Sequence, residues 1–207
     1  MDNKRGTLQA VPKSMQDTDP RGASVRDQDV SAADRRMFDD TCGDFGLSIR
    51  RDGTWFYRGS PIGRKPLVKL FASVLRRDDA GGYWLVTPAE KGRIVVEDVP
   101  FVAVEASITG AGAEQTVTLQ TNLDEIVTVD RDHPLRVEND PATGAPAPYV
   151  LVRNGLEARL ARSVFYELVE HGEERREGEQ RILGIWSAGE FFRLGDITIA
   201  DEGGAGG

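Results

Sequence analysis

The sequence predicts an α+β fold of two subdomains that share a repeated strand–helix–strand motif. Three observations predict it. Segments of strand period dominate from Phe45 to Leu194. Two segments of helical period interrupt them, one after Pro66 and one after Asn154. The surroundings of these two helices resemble each other, with a strand and a loop before and an aromatic strand after.

The elements follow in order. Residues 1–36 hold no Trp or Tyr and are rich in Asp, Arg, Gly, Ser and Pro. Such a segment buries too little apolar surface to offset its ordering entropy and reads as a disordered tail. Near its end, Ser31 with Asp34 has the spacing of a helix start, which predicts a short helix over 31–40. Phe45, Leu47 and Ile49 alternate with other residues as in a half-buried strand. Asp52-Gly53 then reads as a two-residue hairpin turn. That register sets Arg51 against Thr54 and Ile49 against Phe56. It puts Arg50 opposite Trp55 on the other face, within reach of a cation–π contact. Residues 59–63 read as a loop, and Pro66 is tolerated in a first helical turn. Leu67, Leu70, Phe71, Val74 and Leu75 form one apolar stripe, so the helix is predicted to run to Arg77. Further strands are predicted at 83–86, 93–96, 101–107, 115–120, 125–129, 135–138 and 149–152. Asn154 and Glu157 suggest an N-cap and its N3 partner, which predicts a helix to about Glu170. A charged loop at 173–180 precedes strands at 182–186 and 190–194, and the Gly-rich end from Asp201 reads as a flexible tail.

The repeat aligns Leu70, Phe71, Val74 and Leu75 with Val164, Phe165, Leu168 and Val169, and Tyr83 and Arg93 with Leu183 and Arg193. Acidic residues interleave the second helix, so function is not expected to be duplicated. The predicted organisation is a tail at 1–36, subdomains at 37–96 and 97–200, and a tail at 201–207.

Charge singles out one stretch. RRDGTWFYRGSPIGRKPLVKLFASVLRR, residues 50–77, carries eight basic residues and one acidic one. Its net +7 leaves −15 for the rest of a chain that totals −8. Overall acidity argues against a general nucleic-acid coat, which needs many phosphate contacts, but leaves a local basic face. The candidate ligand- or partner-binding residues are Arg50, Arg51, Trp55, Tyr57, Arg58, Ser60, Gly63, Arg64 and Lys65. Loop and helix-start N–H groups with two cations suit an anion, and Trp55 or Tyr57 suits stacking, with Phe56 left to the core. The spacing is not that of a Walker loop.

Other chemistry is poorly supported by the sequence. One cysteine, Cys42, excludes an internal disulfide and thiolate-rich metal sites. His133 lies in a turn, and His171 sits at a helix end that a cation suits. Asp44-Phe45-Gly46 spells a kinase triplet without the rest of a kinase. Asn122, Asp124 and Glu125 read as a turn. No catalytic, cofactor or metal residue is nominated. No apolar run is long enough to span a bilayer, and the beginning lacks the apolar core of a secretory signal, so the expectation is a cytoplasmic protein.

Several motifs in order carry a resemblance: the stretch from Asp52 to Arg77, then YWLVTPAEKGRI, DVPFVAVE, DHPLRVE, YVLVRNGLEARLARSVFYELVE and GIWSAGEFFRL. Over residues 37–195 the chain resembles an uncharacterised proteobacterial family, a domain of unknown function. The resemblance implies a duplicated core, a C-terminal subdomain like a partly open pleckstrin-homology barrel with a helix, and a role in signalling with a ligand near the subdomain interface. The resulting expectation is a non-enzymatic binding module for an anionic protein, nucleic acid or small ligand, with self-association left open. The alternative is a small hydrolase or transferase with its site at the subdomain cleft.

Overall fold

A computed structural model describes residues 42–197. The predicted tails at 1–36 and 201–207 and the helix at 31–40 lie outside the described residues. The described chain is mostly β, with two nine-residue helices and curled, half-barrel sheets.

The first half begins with a meander of three strands, β1 (Cys42–Ile49), β2 (Trp55–Tyr57) and β3 (Ser60–Pro61). Helix α1 (Lys65–Ser73) follows, then a second meander, β4 (Leu75–Arg77), β5 (Tyr83–Val86) and β6 (Lys91–Val96). The six strands form one sheet in the order β3-β2-β1-β6-β5-β4, closed at its centre by the parallel pair β1–β6. A third meander comes next: β7 (Phe101–Thr109), a 3-10 turn, β8 (Thr116–Thr121) and β9 (Ile126–Thr128).

Then the first pattern returns. β10 (Leu135–Asn139), β11 (Pro146–Arg153) and β12 (Leu156–Leu160) form a meander, α2 (Arg162–Glu170) follows, and β13 (Glu173–Glu177), β14 (Gln180–Ser187) and β15 (Glu190–Asp196) form another. Here the meanders sit in separate sheets, β10-β11-β12-β7-β8-β9 and β13-β14-β15, although β15 lies against β10 as β6 lies beside β1. The repeat is therefore longer than a strand–helix–strand motif: three strands, one helix and three strands. The helices begin at residues 65 and 162, an offset of 97, whereas the sequence alignment of Leu70 with Val164 uses 94. A slip of three residues is nearly one helical turn and leaves an apolar stripe almost in phase, so periodicity alone does not detect it.

Five local expectations are corrected. The β1–β2 turn spans 50–54 rather than two residues: Gly53 N–H donates to Arg50 O at 2.9 Å, Arg50 N–H to Thr54 O at 3.0 Å, and Asp52 accepts from Thr54 N–H. The pairs become Ile49–Trp55, Ser48–Phe56 and Leu47–Tyr57. A one-residue slip exchanges the faces of a strand. Trp55 is buried with Leu47 and Ile49, and Phe56 turns outward beneath Arg50, whose guanidinium lies 4.7 Å from its ring centre.

Helix α1 stops at Ser73 because Leu75 pairs with Leu85 and enters a strand; Val68 and Ala72 face the core and Leu70 is exposed. Within the expected loop at 59–63, Ser60 and Pro61 pair with Tyr57 and Phe56. Asn154-Gly155 is a hairpin turn with positive φ at both residues, not a helix start. The stretch after it is strand β12, and the charged segment after α2 is the fully exposed strand β13. One main core joins both halves, from Leu47 and Trp55 through Phe101 and Val150 to Leu168, Ile185 and Leu194.

Candidate functional site

The basic stretch is largely a seam between the halves. Lys65 and Lys69 donate to the Asp124 carboxylate at 2.6 and 3.1 Å, which holds its pKa down to about 2. Arg51 donates to Asp140 at 2.8 Å, and its N–H to Glu97 at 3.0 Å. Arg76 donates to the carbonyls of Ser73 and Leu75. Arg77 donates to Gly155 O at 3.2 Å and reaches the Glu157 carboxylate at 3.6 Å. An island of +7 inside an acidic chain thus finds much of its counter-charge within the molecule. Among the described residues, Arg50, Arg58 and Arg64 make no ion pair with a carboxylate. The structure does not gather the nine nominated residues into one face. Trp55 is buried and stacks on Phe71 at 6.2 Å, Ser60 and Gly63 are exposed, and Arg51 points to the junction.

Two of the nominated residues, Tyr57 and Arg58, do meet at a cavity of about 620 Å³ beneath α1. Seven apolar side chains wall it. Phe45 and Leu47 come from β1, Leu67 and Phe71 from α1, Val74 from the helix end, Ile62 from the loop after β3, and Leu85 from β5. The Phe45 ring lies over Gly92, where an added Cβ would come within 2.2 Å of it. The volume is within the range of small-molecule sites, and the walls are mainly apolar with a few polar groups, as in such sites. Asp44, Arg58, Thr87 and Glu90 supply the polar part of the lining.

Arg58 is held there by its backbone. Arg58-Gly59 is the two-residue turn between β2 and β3, with φ of 47° and 82°. The corresponding turn in the second half is Asn154-Gly155, with φ of 44° and 73°. Asn suits the first position of such a turn; arginine there is strained. Arg58 N–H donates to Gly46 O at 2.7 Å, its guanidinium lies 5.2 Å from the Tyr57 ring centre, and a Cβ on Gly46 would come within 3.0 Å of the Arg58 stem. Asp44 is partly used within the irregular stretch of β1, accepting from Gly46 N–H at 2.7 Å.

The junction between the halves holds a second polar group. Arg159 donates to Asp98 at 2.7 Å and to Asp140 at 3.4 Å, and Tyr149 Oη donates to Asp98 at 3.0 Å. The N–H of Ala142, with Arg159 and Arg51, holds the Asp140 carboxyl below its ordinary range, while burial and the Asp98 charge push Tyr149 up. With two aspartates answering Arg51 and Arg159, this is a structural clamp. The sequence singles out neither Asp98, Arg153 nor Arg159, and shows Asp124 only as a turn residue, because each charged partner is at least 19 residues away in sequence.

The remaining candidates stay apart. His133 Nδ1 lies 3.1 Å from Asp130 in a turn, and His171 Nδ1 2.9 Å from Glu167 O at the end of α2. Asn122, Asp124 and Glu125 form the β8–β9 turn, as expected. Among the described residues no group of His, Cys, Asp and Glu has the arrangement of a metal site, and no helix is long and apolar enough to cross a membrane.

Comparison with known proteins bears on both halves. Residues 38–99 match the family described as "Domain of unknown function (DUF1285), N-terminal domain", and residues 100–194 its C-terminal counterpart, "Protein of unknown function (DUF1285), C-terminal domain". A DUF1285 family protein from Silicibacter pomeroyi, known by crystal structure, is 43% identical over 78% of this chain and 86% of its own, with a TM-score of 0.71. A second, from Shewanella baltica, is 28% identical over 61% of this chain and 91% of its own, with a TM-score of 0.50. No curated protein matches.

Proposed function

This chain belongs to the DUF1285 family, and we propose that it is a non-enzymatic binding module that holds a small apolar ligand in the cavity beneath α1. The observation that carries the reading is that cavity: about 620 Å³, seven apolar walls drawn from β1, the loop after β3, α1 and its end, and β5, and polar groups among its lining. Burying apolar ligand surface there is favourable at roughly 25 cal/mol per Å² before the cost of ordering the ligand. A role in signalling and a cytoplasmic setting remain part of the proposal. So does the pleckstrin-like description of the C-terminal half, which six successive strands followed by a helix support.

The test uses N-phenyl-1-naphthylamine, a neutral fluorophore that brightens in apolar surroundings. It is expected to bind the wild-type chain with equimolar saturation. Leu67→Trp and Ile62→Trp, each filling the cavity from a different wall, are expected to abolish binding while the circular dichroism stays native. No binding to wild type, or unchanged binding in both folded variants, would overturn the reading. So would a dimer that forms as the fluorophore is released, since the cavity would then belong to a second copy of the chain.

A further inference from the structure

We propose that the ligand of this cavity is a monoanionic amphipath, an alkyl or aryl carboxylate or sulfonate, whose charged group pairs with Arg58 while its apolar body lies between α1 and the sheet. The inference rests on the cavity reading above and adds the chemical class of what fills it.

Three observations lead there. First, Arg58 occupies a turn position with φ of 47°, where the second half of the molecule has Asn154 at 44°. Backbone strain of this kind persists where the surroundings over-determine it, and it concentrates at sites of function. Here the surroundings are specific. Gly46 leaves room for the arginine stem, its carbonyl accepts the Arg58 N–H, and the Tyr57 ring lies under the guanidinium. Second, Arg58 has no carboxylate partner among the described residues, unlike Arg51, Lys65 and Lys69, which are drawn into ion pairs with the second half. A guanidinium presents a planar fork of donors that fits a carboxylate or sulfonate with two parallel hydrogen bonds. Third, Asp44 and Glu90 share the lining with Arg58. One cation can match one negative group. Two nearby carboxylates oppose a second charge on the same head, so a phosphate dianion is disfavoured.

The experiment measures displacement of N-phenyl-1-naphthylamine by decanoate, decanol and decyl phosphate at pH 8, in wild type and in Arg58→Asn. The variant restores the residue that the second half uses at the same turn, so it is expected to fold. Decanoate is expected to displace the fluorophore at about tenfold lower concentration than decanol, and at lower concentration than decyl phosphate. In Arg58→Asn the advantage of decanoate over decanol is expected to vanish, with the neutral fluorophore still bound. Arg50→Asn, in the β1–β2 turn with its guanidinium over the outward-facing Phe56 ring, is expected to change nothing. Equal displacement by decanol and decanoate in wild type, or an advantage that survives in Arg58→Asn, would overturn the assigned class and leave the cavity reading standing. Stronger displacement by decyl phosphate would overturn the single charge. Failure of the fluorophore to bind wild type would remove the cavity reading and this inference together.

Discussion

The two copies of the repeat follow the same order of elements, yet one is closed and the other open. In the second copy β12 pairs with β7 along its outer edge, Ala161 N–H donates to Ala103 O at 2.9 Å, and β7 packs against α2. In the first copy the equivalent strand, β3, is the outermost of its sheet. The helices register the difference. At an offset of 97, Leu67 and Phe71 correspond to Val164 and Leu168. The first pair is half-buried and walls the cavity, whereas the second pair is buried in the core. The same supersecondary unit serves stability where a third meander covers it, and offers a site where none does.

The largest expected effect tests that contrast directly. Leu168→Ala removes a fully buried side chain and leaves a cavity in packed surroundings, with an expected loss of about 3 kcal/mol. Phe71→Ala, at the equivalent position, enlarges a space that already exists. It loses its stack on Trp55, and the expected loss is about 1–2 kcal/mol despite the larger side chain removed. Urea denaturation of the two variants measures the difference. Equal losses would mean that the first copy is packed as tightly as the second, and the comparison would fail.

That contrast marks the limit of what the sequence could disclose. Strands at 83–86, 135–138 and 182–186 were legible because their alternation is local and Gly, Pro or charged turns bound them. The sequence makes the second helix too long because Asn154-Gly155 satisfies two rules at once, a cap and a hairpin turn, and pairing with β7 decides between them. Arg58 and Tyr57 stand out in sequence by charge and aromatic content. Leu67 and Phe71 were visible only as an apolar stripe, since stripe and cavity wall have the same sequence signature. The basic island looks outward-facing in sequence because Asp124 and Asp140, which answer it, are 55 to 89 residues away in the chain.

The seam between the halves gives a second, acid-limited effect. Asp124 sits at φ of 63° in the β8–β9 turn and joins Lys65 and Lys69 of α1. Arg153 adds a bond to Ala72 O at 2.8 Å and pairs with Glu125. Hydrogen bonds from the two lysines lower the Asp124 pKa from 3.8 to about 2. A carboxylate depressed in the folded state contributes stability that is present above its unfolded pKa and is lost as pH falls through the folded one. Wild type is therefore expected to exceed Asp124→Asn in urea midpoint near pH 6, with the gap closing between about pH 4 and 2 and narrowing in high salt. A gap independent of pH would show that the turn, not the charge, holds α1 to the second half.

The smallest effect concerns the matching turns. Arg58 and Asn154 share a backbone conformation, so exchanging their residues isolates what the arginine does for folding. Asn154→Arg is expected to destabilise by about 0.5–1 kcal/mol, because a side chain without local polar contacts is strained at positive φ. Arg58→Asn is expected to stabilise by a similar amount, read as a small rise in urea midpoint, while losing the preference for an anionic ligand. The opposite signs matter more than the sizes. If Arg58→Asn instead destabilised the chain, the arginine would be there to hold the turn through Tyr57 and Gly46. The open copy would then keep its cavity without having given up any stability for it.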